Sequence, residues 1–320
     1  MERARTVIEV CGLTKRYGEH FAVRSVDLRV AHGEVFALLG PNGAGKTTAV
    51  EIMEGVRERT SGSVTVLGED PAAYTRHFRD RVGVVPQSTG AFDDLKLVEL
   101  IRHFSRVYSR PLPVGQVIEL VGLTDKTNAV CRTLSGGQRR RVDMALSLVG
   151  DPDLIFLDEP TTGLDPEVRR QSWEVVQMLA ARGTTILLTT HYLDEAETLA
   201  DRVGIMIDGT LVETGPPDEI GGRRKAAVTV SFRRPDRLAG IALPAFLVPA
   251  EIEQNGSDVA VHTDLPSAVT KSLIDWSIGN GVDELPALRV HQPSLEDIYL
   301  HMISARQADA DQRVDGAIAS

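Results

Sequence analysis

Residues 40–47 read Gly-Pro-Asn-Gly-Ala-Gly-Lys-Thr and follow an apolar run, Val35-Phe-Ala-Leu-Leu39, that predicts a buried strand. They match the phosphate-binding pattern G-x-x-x-x-G-K-[ST], which needs a strand before it and a helix after it. Glycine lets the backbone curl so that N–H groups face a phosphate, and the helix presents its positive end to the same anion. Lys46 is expected to reach the β- and γ-phosphates, and the Thr47 hydroxyl to bind Mg²⁺. The candidate nucleotide-binding residues here are Gly40, Pro41, Asn42, Gly43, Ala44, Gly45, Lys46, Thr47 and Thr48.

Other apolar runs predict the sheet to which this loop belongs. The predicted strands are Val82-Gly-Val-Val85, Leu154-Ile-Phe-Leu157, Thr184-Thr-Ile-Leu-Leu-Thr189 and Val203-Gly-Ile-Met-Ile207. Strands that are apolar throughout, with helical segments between them, are typical of a mostly parallel α/β sheet covered on both faces. One helix has clear ends, because Asp165 can cap it, Pro166 fits its first turn and Gly183 can close it.

The composition limits the class of protein. A chain of 320 residues suggests about two domains. Its 35 Lys and Arg against 45 Asp and Glu, net −10, argue against broad nucleic-acid contact. No apolar run approaches the ~18 to 20 residues of a membrane helix, and the first residues lack a signal peptide's apolar stretch. The two cysteines, Cys11 and Cys131, are expected to be reduced core residues. These features predict a soluble cytoplasmic protein.

The pattern changes after residue 222. Alternating runs at Val228-Thr-Val-Ser-Phe232 and Val259-Ala-Val-His262 predict half-buried strands, and a helix follows with Val269, Leu273 and Trp276 on one face. Asp297 stands three residues after Ser294 and predicts a capping box for a last helix. We expect a nucleotide-binding domain at 1–222, a small α+β domain at 226–303 and a disordered tail at 304–320.

Two further segments carry candidate chemistry. Asp158 and Glu159 follow a buried strand, so they fall at the carboxyl end of the sheet, where α/β proteins bind ligands. Asp158 suits the shell of Mg²⁺, and Glu159 could accept a proton from an attacking water. The two glycines of Leu134-Ser135-Gly136-Gly137-Gln138 open a second helix whose N-terminus suits a phosphate.

With Lys46, Asp158 and Glu159, residues 134–138 resemble the signature motif of ATP-binding cassette (ABC) ATPases. Thr162-Gly-Leu-Asp165 is similar to the D-loop of that family, and Gln87 to its Q-loop glutamine. His191 resembles the switch histidine, and Tyr17 the aromatic residue that stacks on adenine. The resemblance extends from about residue 7 to 220, with the motifs in the family's order. Three arginines, Arg139 to Arg141, follow the signature, where the family often has a glutamine or lysine among them.

The resemblance implies the ABC ATPase fold, a mostly parallel sheet with a helical signature subdomain, and a head-to-tail dimer around two ATP molecules. Lys46 and its loop from one subunit would hold each ATP, and Ser135, Gly136 and Gly137 from the other would cap its γ-phosphate. The resemblance adds Gln138 and Asp165 as candidate nucleotide-binding residues. Glu159 would polarise the attacking water as a catalytic residue. His191 and Gln87 would contact the γ-phosphate, the water or Mg²⁺, and the metal ligands would be Thr47, Gln87 and Asp158.

The subclass follows from spacing and from the C-terminal end. Only 92 positions separate Lys46 from Gln138, which leaves no room for the coiled coils of chromosome-maintenance relatives. Residues 292–301, Gln-Pro-Ser-Leu-Glu-Asp-Ile-Tyr-Leu-His, resemble the end of daunorubicin-resistance-type (ABC-2) exporter ATPases. We therefore expect the ATPase of an exporter of drug, antibiotic or lipid-like substrates, at the cytoplasmic face of the cell membrane. Its expected partners are a second ATPase subunit, in a homodimer, and separate transmembrane permease subunits, with no nucleic acid.

Two alternatives stay open, and a third is disfavoured. The chain could serve an importer, or it could be a soluble mechanochemical or regulatory ATPase that uses the same ATP-driven dimerisation on another partner. A P-loop kinase is disfavoured, because no motif supplies an acceptor pocket and Glu159 is placed for water.

Overall fold

The structure is a computed structural model that describes residues 5–85, 94–225, 228–246, 248–291, 294–300 and 302. It divides into two compact units, Met1–Pro217 and Asp218–Ser320. The strands are β1 (Thr6–Tyr17), β2 (His20–Ala31), β3 (Val35–Leu39), β4 (Ser61–Val66), β5 (Val82–Val85), β6 (Leu154–Asp158), β7 (Thr185–Thr190), β8 (Arg202–Ile207), β9 (Thr210–Gly215), β10 (Val228–Arg233), β11 (Glu251–Asn255), β12 (Asp258–Thr263) and β13 (Arg289–His291). The helices are α1 (Lys46–Met53), α2 (Arg76–Arg81), α3 (Leu97–Ser105), α4 (Val114–Leu120), α5 (Gly136–Leu148), α6 (Pro166–Ala181), α7 (Leu193–Leu199) and α8 (Pro266–Gly279). Short 3₁₀ turns lie at Pro71–Ala73, Thr124–Lys126, Cys131–Thr133, Ile220–Lys225 and Asp236–Leu238.

The first unit is built on a six-stranded sheet in the order β5-β6-β7-β3-β8-β9. All of its neighbouring strands are parallel except the last pair, in which β9 runs antiparallel to β8. Every residue of β3 and β7 is buried, as expected for strands with helices on both faces. The predicted parallel strands are confirmed, and their ends agree with the predicted ends to within one residue.

A second, antiparallel sheet in the order β2-β1-β4 was not predicted from the sequence. Helix α1 packs against this sheet and also against β6 of the parallel sheet. One core cluster joins both sheets, with Ile8, Val10, Phe36, Val50 and Phe156 among its members. The loop that precedes α1 is thereby anchored from two sides.

The two cysteines differ in burial. Cys131 is buried as expected, but Cys11 is exposed, so its assignment to the core was wrong. Side chains alternate between the two faces of β1, and Cys11 lies on the face opposite to that of Val10.

Helices α3, α4 and α5 pack against one another and form the helical part of the first unit. Helix α5 also contacts β5. The Ser135 hydroxyl accepts from the Gln138 N–H at 3.3 Å, and the Gln138 side chain accepts from the Ser135 N–H at 3.0 Å. This reciprocal capping box fixes where the signature helix begins.

The second unit holds a four-stranded antiparallel sheet in the order β11-β12-β10-β13. Helix α8 packs on one face of it, where Val230, Val261, Val269 and Leu273 are completely buried. Ser294 and Asp297 form the predicted capping box, and residues 295–300 are helical. The tail predicted to be disordered, 304–320, lies outside the described residues. In the part of the chain that the structure describes, no helix has the length and apolarity needed to cross a bilayer.

Candidate active site

Three loops meet at the carboxyl edge of the parallel sheet because β6, β7 and β3 are neighbours. Asp158 at the end of β6 is paired with Thr189, and Leu39 at the end of β3 is paired with Thr190. The loop at residues 40–47, the acidic pair after β6 and His191 after β7 therefore come from adjacent strands. This is the edge where open α/β sheets bind ligands.

Close packing fixes the residue type at both ends of the phosphate-binding loop. A Cβ on Gly40 would lie 2.3 Å from the carbonyl oxygen of Met206, and a Cβ on Gly45 would lie 2.1 Å from that of Ala22. Gly45 also has φ of +95°, a conformation that side chains with a Cβ rarely adopt. It precedes α1 without a side-chain cap, so the first N–H groups of that helix have no side-chain oxygen from the N-cap residue. An anion can take that place.

Lys46 bends back over its own loop. Its Nζ donates to the carbonyl oxygens of Gly40 at 2.8 Å and Pro41 at 3.1 Å, and the residue is 5% exposed. Burial lowers the pKa of the Lys46 ammonium, while the carboxylates of Glu159 and Asp158 oppose that shift. The Lys46 ammonium therefore lies near two carboxylates, those of Asp158 and Glu159. A bound nucleotide phosphate would add negative charge beside it and stabilise its protonated form.

Asp158 and Thr47 form a set of oxygen ligands. The Thr47 hydroxyl donates to Asp158 Oδ1 at 3.5 Å, and Thr189 donates to the same oxygen at 2.5 Å. Within the described residues no group of three or more His, Cys, Asp or Glu could hold a metal ion. Mg²⁺ does not need such a group, because it binds through one or two protein oxygens, substrate phosphates and water. The hydroxyl and carboxylate at this edge fit that ion.

Glu159 is held in a strained backbone conformation. Its φ is +45°, which is uncommon outside glycine. Its N–H is shared between the carbonyl oxygen of Thr189 at 3.1 Å and the Thr189 hydroxyl at 3.0 Å. Thr162 donates to Glu159 Oε2 at 3.0 Å. Backbone strain at a candidate catalytic carboxylate is typical of positions whose geometry matters for chemistry.

His191 lies beside that carboxylate. Its Nδ1 is 3.4 Å from Glu159 Oε1 and makes no hydrogen bond within the described structure, although it is buried. The imidazole packs on the Tyr192 ring, with centroids 4.2 Å apart. A buried ring nitrogen without a hydrogen bond is an unusual feature that a ligand could satisfy.

The signature residues lie at the start of α5. Gly136 is exposed, whereas a Cβ on Gly137 would lie 2.1 Å from Cγ1 of Val168 in α6. The second glycine is therefore required by helix packing as well as by any ligand. Asp165 caps α6, accepting from the N–H groups of Glu167 at 3.1 Å and Val168 at 3.0 Å.

Tyr17 ends β1 and is 43% exposed. Arg57 donates to its hydroxyl and also to Glu51 Oε2, and so links Tyr17 to helix α1. Lys15 Nζ lies 5.0 Å from the centroid of the Tyr17 ring. The candidate adenine-binding side chain is thereby tied to the helix that follows the phosphate-binding loop.

The structure does not bring every candidate together. Among the described residues, no hydrogen bond or ion pair joins residues 135–138 to residues 40–48. Gln87 lies outside the described residues, so its assignment is a prediction without a structural account.

Sequence reasoning missed two buried charged residues behind Glu159. Arg140 is 7% exposed, and Glu195 is fully buried, accepting from Thr161 at 2.8 Å and Trp173 Nε1 at 3.0 Å. Arg140 follows Gly137 by three residues and precedes buried Met144 by four, so helical periodicity could have placed it on the buried face of α5.

Comparisons with known proteins agree with this geometry. A family model described as "ABC transporter" matches residues 23–162, and one described as "ABC transporter domain-containing protein-like, C-terminal domain" matches residues 228–294. The chain is 36% identical over 311 residues to the Nod factor export ATP-binding protein I of Burkholderia orbicola (strain AU 1054), covering 94% of this chain and 98% of that protein. The chain belongs to the ABC transporter ATP-binding family.

This ABC ATPase has other relatives of the same kind. It is 36% identical over 313 residues to the daunorubicin resistance ATP-binding protein DrrA3 of Streptomyces coeruleorubidus, covering 93% of this chain and 96% of that protein. The solved "Dimeric Structure of MJ0796, a Bacterial ABC Transporter Cassette" superposes with a TM-score of 0.57 at 25% identity, over 65% of this chain and 98% of that one. The predicted ABC ATPase fold and the predicted family are confirmed. The chain is the ATP-binding, ATP-hydrolysing subunit of an ABC transporter.

Proposed function

We propose that this ABC ATPase drives export through separate membrane subunits, by ATP-dependent dimerisation followed by hydrolysis. The observation that carries the proposal is that similarity to two export-type relatives extends over more than nine-tenths of the chain and so includes the second unit. Those relatives are named for Nod factor export and for daunorubicin resistance. We infer a drug, antibiotic or lipid-like substrate from them, chosen by the membrane subunits, and a position at the cytoplasmic face of the membrane.

The proposed dimer would bring together two phosphate-binding segments that are not joined within one chain. The loop at residues 40–47 and the signature at 135–138 both open helices suited to phosphate, yet no described polar contact joins them. In a head-to-tail pair, Lys46 of one subunit and residues Ser135 to Gly137 of the other would hold the same γ-phosphate. The solved dimer of the MJ0796 cassette supports dimerisation, and we propose a homodimer.

The chemistry proposed for the site is hydrolysis of the γ-phosphate. Mg²⁺, held by Thr47 and Asp158 together with Gln87, would neutralise charge on the β- and γ-phosphate oxygens. Glu159 would orient the attacking water and accept its proton. His191, whose Nδ1 is 3.4 Å from Glu159 Oε1, would donate toward the γ-phosphate and keep that carboxylate in place. Tyr17 would stack on the adenine.

A single variant tests this proposal. Glu159→Gln keeps the size of the side chain and can still accept from Thr162, but it cannot take a proton from water. We expect ATP binding to persist while kcat falls by about 100-fold or more, leaving an ATP-bound dimer. Size-exclusion chromatography with light scattering, with ATP and Mg²⁺ and with ADP as the control, measures the dimer. Normal turnover in this variant would remove Glu159 from the role of general base.

The trapped variant also identifies the partner. Glu159→Gln with ATP and Mg²⁺ serves as bait on detergent-solubilised membranes of the host, followed by mass spectrometry of the proteins that copurify. The resemblance to ABC ATPases implies that the surface formed by residues 87–100 faces the membrane subunit. We therefore expect a stoichiometric polytopic membrane protein, lost when these residues are altered. Recovery of soluble proteins alone, together with a stable ATP-bound dimer, would contradict the role in transport. The assignment as an ABC ATPase would stand.

A further inference from the structure

Arg140 connects the signature helix to the backbone on both sides of Glu159. Its Nε donates to the carbonyl oxygen of Pro160 at 2.7 Å, and its Nη2 donates to that of Asp158 at 3.2 Å. The side chain comes from α5, the helix that begins at the signature glycines. One guanidinium group therefore binds the residues immediately before and after the candidate general base.

Arg140 binds the backbone on either side of a residue with a strained conformation, Glu159. Glu159 has φ of +45°, and a residue with a Cβ adopts that conformation only where its surroundings impose it. Thr189 binds the Glu159 N–H with two oxygens, so the turn is held from the β7 side through its N–H. Arg140 holds the same turn from the α5 side through its two carbonyls. These contacts together fix the direction in which the Glu159 side chain leaves the chain.

Nearby carboxylates balance the positive charge of Arg140. The residue is 7% exposed, and a guanidinium group stays protonated even when it is buried. Asp143 Oδ2 lies 3.7 Å from its Nη1, and the carboxylates of Asp158 and Glu195 also act on it favourably. Only arginine offers several fixed N–H donors that can reach two carbonyls from one planar group.

We propose that Arg140 is a positioning residue for ATP hydrolysis, holding the peptide groups around Glu159 so that its carboxylate faces the attacking water. The proposal rests on the role of Glu159 proposed above. It also gives the two ATP sites of a dimer a physical connection within one subunit. The α5 N-terminus would cap the ATP held by the partner, and Arg140 on the same helix holds the general base of the subunit's own site.

Arg140→Gln tests the proposal, because glutamine is shorter, lacks the charge and has a single donor nitrogen where Arg140 uses two, Nε and Nη2. We expect kcat to fall about 10- to 100-fold, the range for groups that position a reacting residue, while KM and the Kd for ATP change by no more than about twofold. Arg140→Lys keeps the charge but not the planar donor group, so it should recover only part of the rate.

Arg141→Gln is the matched control. Arg141 is the next residue of the same helix, and its Nη1 also donates to backbone carbonyls, but to those of Gly122 at 3.2 Å and Val121 at 3.5 Å rather than to those beside Glu159. We expect it to keep the kcat of the wild type. An equal loss of kcat in both variants, or a loss of ATP affinity that parallels the loss of kcat in Arg140→Gln, would overturn the proposal.

Two comparisons separate this proposal from the one on which it rests. If Arg140→Gln has the kcat of the wild type while Glu159→Gln has lost its ATPase activity, only the role of Arg140 is overturned. If Glu159→Gln itself turns over normally, the role of Glu159 is overturned. In a Glu159→Gln background, Arg140→Gln should lower the residual rate no further, and an additive loss would contradict action through Glu159. If Arg140→Gln does not fold, Arg140→Lys carries the same test, and a wild-type kcat in that variant overturns the proposal.

Discussion

Glu54, the residue after the last turn of α1, carries a carboxyl group that is almost out of contact with water. The residue is 8% exposed, and it lines a cavity of about 510 Å³ together with Tyr74, Phe78 and Tyr108. Burial, with smaller contributions from the charges of Asp158 and Glu51, raises the pKa of Glu54 to about 7. This carboxyl group therefore titrates near neutral pH, although no sequence motif marks it.

The raised pKa of Glu54 makes the stability of the chain depend on pH. Because the folded chain holds this proton more tightly than the unfolded chain, the free energy of unfolding should fall as pH rises from about 4.5 to about 7, by about 3 kcal/mol. Glu54→Gln does not titrate and should remove that slope, so the variant gains stability over the wild type up to pH 7. Urea unfolding at several pH values measures the difference. The control is Glu58→Gln at an exposed position, and equal slopes in Glu54→Gln and the wild type would contradict the assignment.

At the residue scale, motifs predicted the groups that face the sheet edge but not the groups that support them. Lys46, Asp158 and Glu159 were predicted because their spacing follows directly from a strand, a turn and a helix. Arg140 and Glu195 were missed, since charged side chains are rarely buried; for Arg140 only the helical periodicity of α5 indicated a buried position. The burial of such a side chain depends on which helix packs behind it, and that is decided by tertiary structure.

At the scale of single elements, Asp165 has two possible roles that can be separated. Its carboxylate caps α6, and the resemblance also places it in the D-loop. Asp165→Ala should lower the free energy of unfolding by about 1 kcal/mol, whereas Asp165→Asn should keep it because asparagine caps as well as aspartate. Denaturant unfolding tests the cap. A loss of ATPase rate in Asp165→Asn at unchanged stability would support the D-loop role, and a normal rate would leave Asp165 as a helix cap alone.

Strand prediction succeeded where the strands are short and either mostly buried, as in the parallel sheet, or regularly alternating, as in β10 and β12. It missed β1 and β2, which are 12 residues each, because their pairing is interrupted. Register shifts between Val10 and Leu13 and between Leu13 and Lys15 break the alternation on which the prediction depends. Edge strands β9 and β13 were missed as well. No residue of β9 is fully buried, and β13 is three residues long, so neither leaves a clear apolar pattern.

At the scale of the whole molecule, the second unit is expected to support dimerisation rather than nucleotide binding. All candidate nucleotide ligands lie before residue 218, so a chain of residues 1–225 should keep its affinity for ATP. We expect its ATP-dependent dimer, in the Glu159→Gln background, to be weaker than that of the full chain. Calorimetry and light scattering measure the two properties, and removal of residues 304–320 alone is the control. Unchanged dimerisation and ATPase rate after the larger deletion would contradict a role for this unit.

Gly137 and Val168 are distant in sequence but in contact, so substitutions at the two positions should be coupled in evolution. A Cβ on residue 137 would lie 2.1 Å from Cγ1 of Val168, so the first turn of α5 and the first turn of α6 share a single volume. A residue with a Cβ fits at position 137 only if the side chain at position 168 is smaller than valine. Homologues with alanine at 137 should therefore carry a smaller residue at 168, and the two should covary as a pair, although only one of them belongs to the signature.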